Sequence, residues 1–261
     1  MEPNGHRELV RSSFAQQAQS FDDRQLTLSN DQYIHWILRR IPLDPTKTAL
    51  DFACGTGIMA RAIAPRVQHV IAVDLSAEMI ARGRLLADAA GLTNIEFREC
   101  SADAIDVAAE SCDLAITRLS LHHFSVPAVP IRTMAEAVTR GGHVAVVDLL
   151  SPPDPGLAER YNHYECLRDP SHTRALTSDE LVSLVRQSGL DVVETDTLGV
   201  EVNVDRWLRL TNTPEPVAGQ IIRDLEQEVA QGPATGLFPF AGPDGRLMFR
   251  QTWGFLLALK R

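Results

Sequence analysis

Two glycines set between a strand pattern and a helix pattern constrain this chain more than any other feature. From Ala49 to Ala60 it reads Ala49-Leu50-Asp51-Phe52-Ala53-Cys54-Gly55-Thr56-Gly57-Ile58-Met59-Ala60. A short apolar run carries an acid near its end, turns through Gly55 and Gly57, and opens an apolar, alanine-rich segment. Glycine accepts φ > 0 and lets backbone amides approach a ligand with no Cβ in the way. The stretch predicts a strand, a tight ligand-facing loop and a helix.

From Thr48 onward β and α patterns alternate. Strands are expected at 48–52, 69–74, 95–100, 113–117 and 143–149. Helices are expected at 57–64, 77–90, 102–109 and 129–138. Ser76 is a good N-cap for the second of these helices, and Gly91 and Gly141 sit where helices should stop. Continuous apolar strands separated by helices indicate a doubly wound α/β domain, its mostly parallel sheet covered on both faces. Ahead of it, at 1–45, a helical lid is expected. Its first helix starts near His6 and includes Phe14 and Phe21. Its second has Ser29 and Gln32 as a capping box and an apolar face of Ile34, Ile37, Leu38 and Ile41.

The domain itself is expected to run over 46–261, with insertions at about 151–177 and 199–251. The first insertion opens at Ser151-Pro152-Pro153-Asp154-Pro155 and holds a helix over 156–168. A capped helix at 178–188 and a strand at 191–198 follow. The second insertion holds helices at 204–210 and 214–231, the longer one with Thr213 as N-cap and Pro214 in its first position. A Gly/Pro-rich stretch at 232–245 and a final apolar strand at 253–260 close the chain.

Composition limits the partners. The formal charge of −9 does not favour nucleic acid or an anionic membrane surface. No apolar run reaches the ~18 residues that a membrane span needs. Four cysteines, Cys54, Cys100, Cys112 and Cys166, show no CxxC pair and no metal-ligand spacing, so no metal is expected. Reduced cysteines in and beside strands point to the cytoplasm.

The glycine loop also fits the GxGxxA dinucleotide fingerprint, with Asp74 near the distance of a ribose-binding acid. Asp51 weighs against a dinucleotide. It ends the first strand where a pyrophosphate would lie, and a carboxylate there repels phosphates. S-adenosylmethionine has no phosphate but carries an ammonium and a sulfonium, which a carboxylate favours.

Here the chain resembles the class I S-adenosylmethionine-dependent methyltransferases. Asp51 to Gly57 is similar to that family's first motif and Val73-Asp74-Leu75-Ser76-Ala77-Glu78-Met79 to its second. Leu121-His122-His123-Phe124 and Leu167-Arg168-Asp169-Pro170-Ser171-His172 resemble segments of the quinone-biosynthesis C-methyltransferase branch and its relatives. The resemblance implies a Rossmann-like, seven-stranded sheet with a helical insertion before the last strand. It implies S-adenosylmethionine as cofactor, contacted by Asp51, Ala53, Gly55, Thr56 and Gly57, and by Asp74 on the ribose with Leu75 and Met79 nearby. Ser101 and Ala102 stand where the family usually has an acid and a small residue beside the adenine. Arg118, at the end of the fourth strand, is counted with the cofactor site, an acceptor carboxylate or a surface acid being its alternative partners.

The reaction expected is in-line methyl transfer to an oxygen or carbon nucleophile of a small molecule. His123 is the expected general base, with His172 second. Asn162, Glu165 and Asp169 fall on one helical face at i, i+3 and i+7. With Trp36, His123 and His172 they are the expected acceptor contacts. The alternatives are a nicotinamide-dependent dehydrogenase and a non-catalytic protein that binds the same cofactor.

Overall fold

The computed structural model describes residues 3–19, 21–22, 30–101 and 107–261. The chain opens with α1 (Pro3–Gln17) and α2 (Asp31–Leu38), and then enters the alternating part. That part runs β1 (Thr48–Phe52), α3 (Ile58–Ile63), β2 (His69–Asp74), α4 (Ala77–Ala89), β3 (Ile95–Glu99), β4 (Cys112–Arg118), α5 (Ala128–Ala137) and β5 (Val138–Leu150). The C-terminal part runs α6 (Pro155–Arg168), α7 (Ser178–Gln187), β6 (Asp191–Asn203), α8 (Val204–Leu210), α9 (Glu215–Val229), β7 (Pro239–Ala241) and β8 (Leu247–Leu259).

The sheet order is β3-β2-β1-β4-β5-β8-β6, and β7 pairs with β8 at the side. Strands β1 to β5 pair in parallel, whereas β8 is antiparallel to both β5 and β6. The seven-stranded, mostly parallel sheet expected from sequence is present, and the three-residue β7 adds an eighth strand. Successive strands run outward from β1 to β3, and the chain then returns to β4 on the other side of β1. This reversal opens a crevice beyond the carboxyl ends of β1 and β4, where such sheets bind ligands.

Three apolar cores hold the layers. One face of the sheet packs Ala49, Val70, Leu114 and Phe255 against Trp36, Ile37, Met59 and Ile63. The other packs Leu50, Ala115 and Val146 against Ile131, Met134, Leu181 and Val185. A third core, Tyr161, Val200, Trp207, Ile221, Phe249 and Trp253, lies beyond the sheet's edge. It exists because β6 and β8 are longer than expected.

Past Leu150, β5 ends, but β6 and β8 stay paired from Val200↔Gln251 to Asn203↔Met248. The expected strand end at residue 198 is therefore five residues short, and the second insertion starts after Asn203. Alternation could have located it, since Val200 and Val202 are buried on either side of exposed Glu201.

Helix ends differ in detail. Ser76 caps α4 by accepting from Met79 N, as expected. Asn30 caps α2 by accepting from Gln32 N; Ser29, the expected cap, lies outside the described residues. Helix α9 begins at Glu215 after Pro214, without a side-chain cap bond. Pro214 takes φ −56 and ψ 138, an extended geometry that leaves it just outside the helix. The expected helix over 102–109 falls largely on residues that are not described.

Candidate active site

A cavity of about 710 Å³ occupies the crevice at the carboxyl edge of the sheet. That size lies within the range of small-molecule sites. Five of the cofactor residues expected from the first two motifs meet at one end. Asp51 and Ala53 come from the end of β1, Gly55 from the loop, and Asp74 and Leu75 from the end of β2. Ser101 and Arg118 also line it. Ala102 lies outside the described residues.

The loop is shaped by its own carboxylates. Asp74 Oδ2 accepts from Gly55 N at 2.7 Å, and its Oδ1 accepts from Ser76 N at 2.9 Å. Asp51 Oδ2 accepts from Ala60 N in the first turn of α3 at 2.8 Å. Each acid thus holds a turn while its residue lines the cavity. Burial pushes the Asp51 carboxyl up to about 7, opposed by the Ala60 amide and by Arg118. Burial likewise raises Asp74. On Arg118 it acts in the other direction, pulling the guanidinium down to about 10 against the attraction of Asp51. A site that keeps two buried carboxylates under this penalty is suited to a cationic ligand.

The two glycines do different work. Gly55, at φ +55, faces the cavity, and a Cβ there would lie 3.3 Å from the Phe21 ring. Gly57, at φ +74, is the N-cap of α3, and a Cβ there would come within 2.7 Å of Phe97. Gly57 therefore serves close packing. It does not line the cavity, and neither do Thr56 and Met79, both fully buried. Cys54 is a buried thiol whose pKa burial raises well above the usual range, which suits a loop filler.

The other end is assembled from distant segments. After β4 the chain turns through Leu119 at φ 53 into a single 3-10 turn, Leu121–His123. Both histidines are buried and line the cavity. His122 Nδ1 hydrogen-bonds to Asp148 Oδ1 on β5. Asp148 also accepts from His122 N at 3.2 Å and from Leu149 N at 2.6 Å. Burial opposes charge on His122, but Asp148 outweighs it and the pKa rises. His123 differs. Its Nδ1 donates to Ser171 O at 3.0 Å, and burial, with His122 beside it, pulls its pKa down to about 4.

Helix α1 lies over this pair. His6 Nε2 donates to His123 O at 2.9 Å, and the Phe14 ring stands edge-on to His123 at 5.0 Å. His6, Phe14 and Phe21 all line the cavity. The N-terminal segment, where a helical lid is expected from sequence, therefore contributes wall residues.

Of the expected acceptor contacts, His123 and Asp169 line the cavity and Trp36, Asn162, Glu165 and His172 do not. Asp169 accepts from Ser171 N at 2.9 Å and Ser171 Oγ at 2.5 Å. Burial works against its charge, but His123, Arg168 and these bonds hold its carboxyl below the ordinary value. Asn162 is a brace: Oδ1 accepts from Ala175 N at 2.6 Å and from His172 Nε2 at 3.0 Å. His172 is thus tied into a turn, and burial pulls its pKa down. Glu165 is fully buried behind the wall, accepting from Gln251 Nε2 at 2.9 Å, and burial raises its pKa. Trp36 lies in the core on one face of the sheet, where its Nε1 donates to Asp196 Oδ2 at 2.9 Å. The i, i+3, i+7 face is not kept: α6 ends at Arg168, Asp169 is extended and lines the cavity, and neither Asn162 nor Glu165 lines it.

The rest of this wall comes from the late insertion and the strands that flank it. Asn203, Arg206 and Trp207 from the end of β6 and from α8, and Met248, Gln251 and Trp253 from β8, line this end. Tyr33 of α2 joins them, its ring 5.3 Å from that of Trp253. Among the described residues no group of histidines, cysteines and acids is arranged to hold a metal ion. No helix among them is long and apolar enough to cross a membrane.

Residues 23–195 match a family model described as "Methyltransferase domain". The chain is 31% identical over 176 residues to a Bacillus subtilis protein named "Uncharacterized methyltransferase YcgJ", covering 67% of this chain and 70% of that one. It is 28% identical over 189 residues to the ubiquinone biosynthesis O-methyltransferase of Leptothrix cholodnii, covering 69% of this chain and 78% of that one. The crystal structure of the Bacillus subtilis YcgJ protein superposes with a TM-score of 0.81, over 89% of this chain and 99% of that one, at 26% identity.

Proposed function

This chain belongs to the methyltransferase-domain family, and from that premise we propose that it methylates an oxygen or carbon nucleophile of a small molecule held at the His122–Asp169 end of the cavity. The observation that carries the reading is the pairing of Asp51 and Asp74 with the histidine end inside one cavity.

The donor set fits S-adenosylmethionine. Asp51 would hold its ammonium, Asp74 its ribose hydroxyls, and Leu75 and Ser101 would lie beside its adenine. The cofactor supplies a methyl group on a sulfonium, already activated toward nucleophiles. What the chain must add is proximity, orientation and a dry site. Helix α1 supports the last of these, since His6 and Phe14 close over the histidines. The aromatic wall of Tyr33, Trp207 and Trp253 would orient a flat acceptor. The formal charge of −9 supports a small-molecule acceptor over nucleic acid.

Calorimetry with adenosylhomocysteine and with NADH tests the reading. Adenosylhomocysteine is expected to bind and NADH not, because Asp51 repels a pyrophosphate. Binding of NADH without binding of adenosylhomocysteine would end it.

A further inference from the structure

We propose that His122, oriented by Asp148, is the general base of this site, and that the acceptor therefore attacks through a hydroxyl that still holds its proton, as in a phenol or an enol. The inference rests on the methyl-transfer reading above and goes beyond it in naming the base and the acceptor class.

Geometry separates the two adjacent histidines. Asp148 is fixed by two backbone amides, His122 N and Leu149 N, and its Oδ1 faces His122 Nδ1. A carboxylate only accepts, so Nδ1 carries the hydrogen and Nε2 is left for chemistry. The carbonyl of His122 accepts from Thr173 N at 2.8 Å and Thr173 Oγ1 at 2.7 Å. The residue is therefore held at both its backbone and its ring, and it lines the cavity.

His123 also keeps its hydrogen on Nδ1, but its partner is the neutral carbonyl of Ser171. A carbonyl cannot stabilise an imidazolium as a carboxylate can. The groups packed round His122 agree. Asp148 on β5, Glu165 on α6 and Asp169 after it favour its cation, whereas His123 in the same turn, His172 in the following loop and Arg168 on α6 oppose it. The acids prevail, and the pKa lies above the ordinary value. Such a group takes a proton readily and holds it.

The step balances. The acceptor O–H bond breaks and its proton passes to His122 Nε2. An oxygen electron pair forms the new O–CH3 bond, and the electrons of the broken S–CH3 bond remain on sulfur. The imidazolium beside Asp148 then returns its proton to solvent. An amine that is already neutral, or a thiolate, would need none of this apparatus.

The test compares the wild type with His122→Gln and Asp148→Asn, using catechol and 4-nitrocatechol as probe acceptors. The first has a hydroxyl near the ordinary phenol value of about 10, and the second ionises well below it. His122→Gln should lower kcat for catechol by about 100-fold or more, lower it much less for 4-nitrocatechol at pH 8, and leave adenosylhomocysteine affinity within about twofold. A purely structural role would lower both acceptors alike. In the wild type, kcat/KM for catechol should rise with pH to a plateau above the ordinary histidine range. Nitrogen NMR of the imidazoles in the cofactor-free protein gives a readout without turnover. Neutral His122 should carry its hydrogen on Nδ1, and Asp148→Asn should lower its pKa. Equal losses on both catechols, no transfer to either while adenosylhomocysteine binds, or a His122 titration indifferent to Asp148→Asn would each overturn the assignment. Failure of the wild type to bind adenosylhomocysteine would instead remove the methyl-transfer reading itself.

Discussion

The proposed cofactor end and the proposed acceptor end of the cavity are built in opposite ways. At the cofactor end, Asp51, Ala53, Gly55, Asp74 and Leu75 lie within 25 positions of one another on two neighbouring strands. Their backbone bonds are local: Asp74 to Gly55 and Ser76, Asp51 to Ala60. At the acceptor end, His6, Tyr33, His122, Asp169, Trp207 and Gln251 come from six segments spread over the whole chain. The first end is a motif, and the second is a product of packing. Evolution can vary the second without disturbing the first, since loops and insertions tolerate change that a strand–loop–helix unit does not.

The largest effect is expected at the cofactor end. Asp74→Ala removes the carboxylate that positions Gly55 and would hold the ribose. Charge-assisted hydrogen bonds are worth ~1.5–3 kcal/mol each. Adenosylhomocysteine affinity by calorimetry should fall on the order of 100-fold, and an unchanged affinity would detach Asp74 from the cofactor.

Asn162→Ala probes the other end. It removes the acceptor of the Ala175 amide and of His172, leaving buried donors unpaired. Chemical denaturation should show a loss of about 2 kcal/mol, with adenosylhomocysteine affinity unchanged. A large loss of cofactor affinity would mean that the two ends are not independent.

Near neutral pH the smallest effect expected is a pH dependence. The Asp51 carboxyl, raised to about 7 by burial, is protonated below that pH and ionised above it. A bound ammonium favours the ionised form. Adenosylhomocysteine affinity should therefore rise with pH up to about 7, by as much as tenfold per unit, and then level off. Asp51→Asn should abolish this slope. The same raised pKa has the opposite sign for folding. Its contribution to stability is present below the unfolded value near 4 and is lost as pH rises through about 7.

The difference between the ends also explains what could be read in advance. The glycine loop, the acid Asp74 at the end of β2 and the alternation of strands and helices are encoded by neighbours in sequence, so each was legible from spacing alone. The histidine pair was visible too, but not which member has the acid. Asp148 lies on β5, 26 positions from His122, and no periodicity links them. For the polar face of α6, helical spacing grouped Asn162, Glu165 and Asp169, although α6 ends at Arg168 and Asp169 is already extended. It could not tell a wall from a brace, because that depends on whether the opposing surface is a cavity or the 171–175 turn. The extension of β6 to Asn203 was legible in the alternation of Val200, Glu201 and Val202, but competing helical signals after it obscured the strand end.

The sheet and the strand–loop–helix that opens onto the cavity are therefore written in the sequence alone. Local backbone preferences act over a few residues, and a linear pattern records them. Only the tertiary structure decided which histidine stands against a carboxylate, which α6 residues reach the cavity, and how β6, α8 and β8 close its far wall. Those outcomes depend on contacts between separate segments, from 13 positions apart for Asn162 and Ala175 to 86 for Glu165 and Gln251, and packing in three dimensions chooses among them.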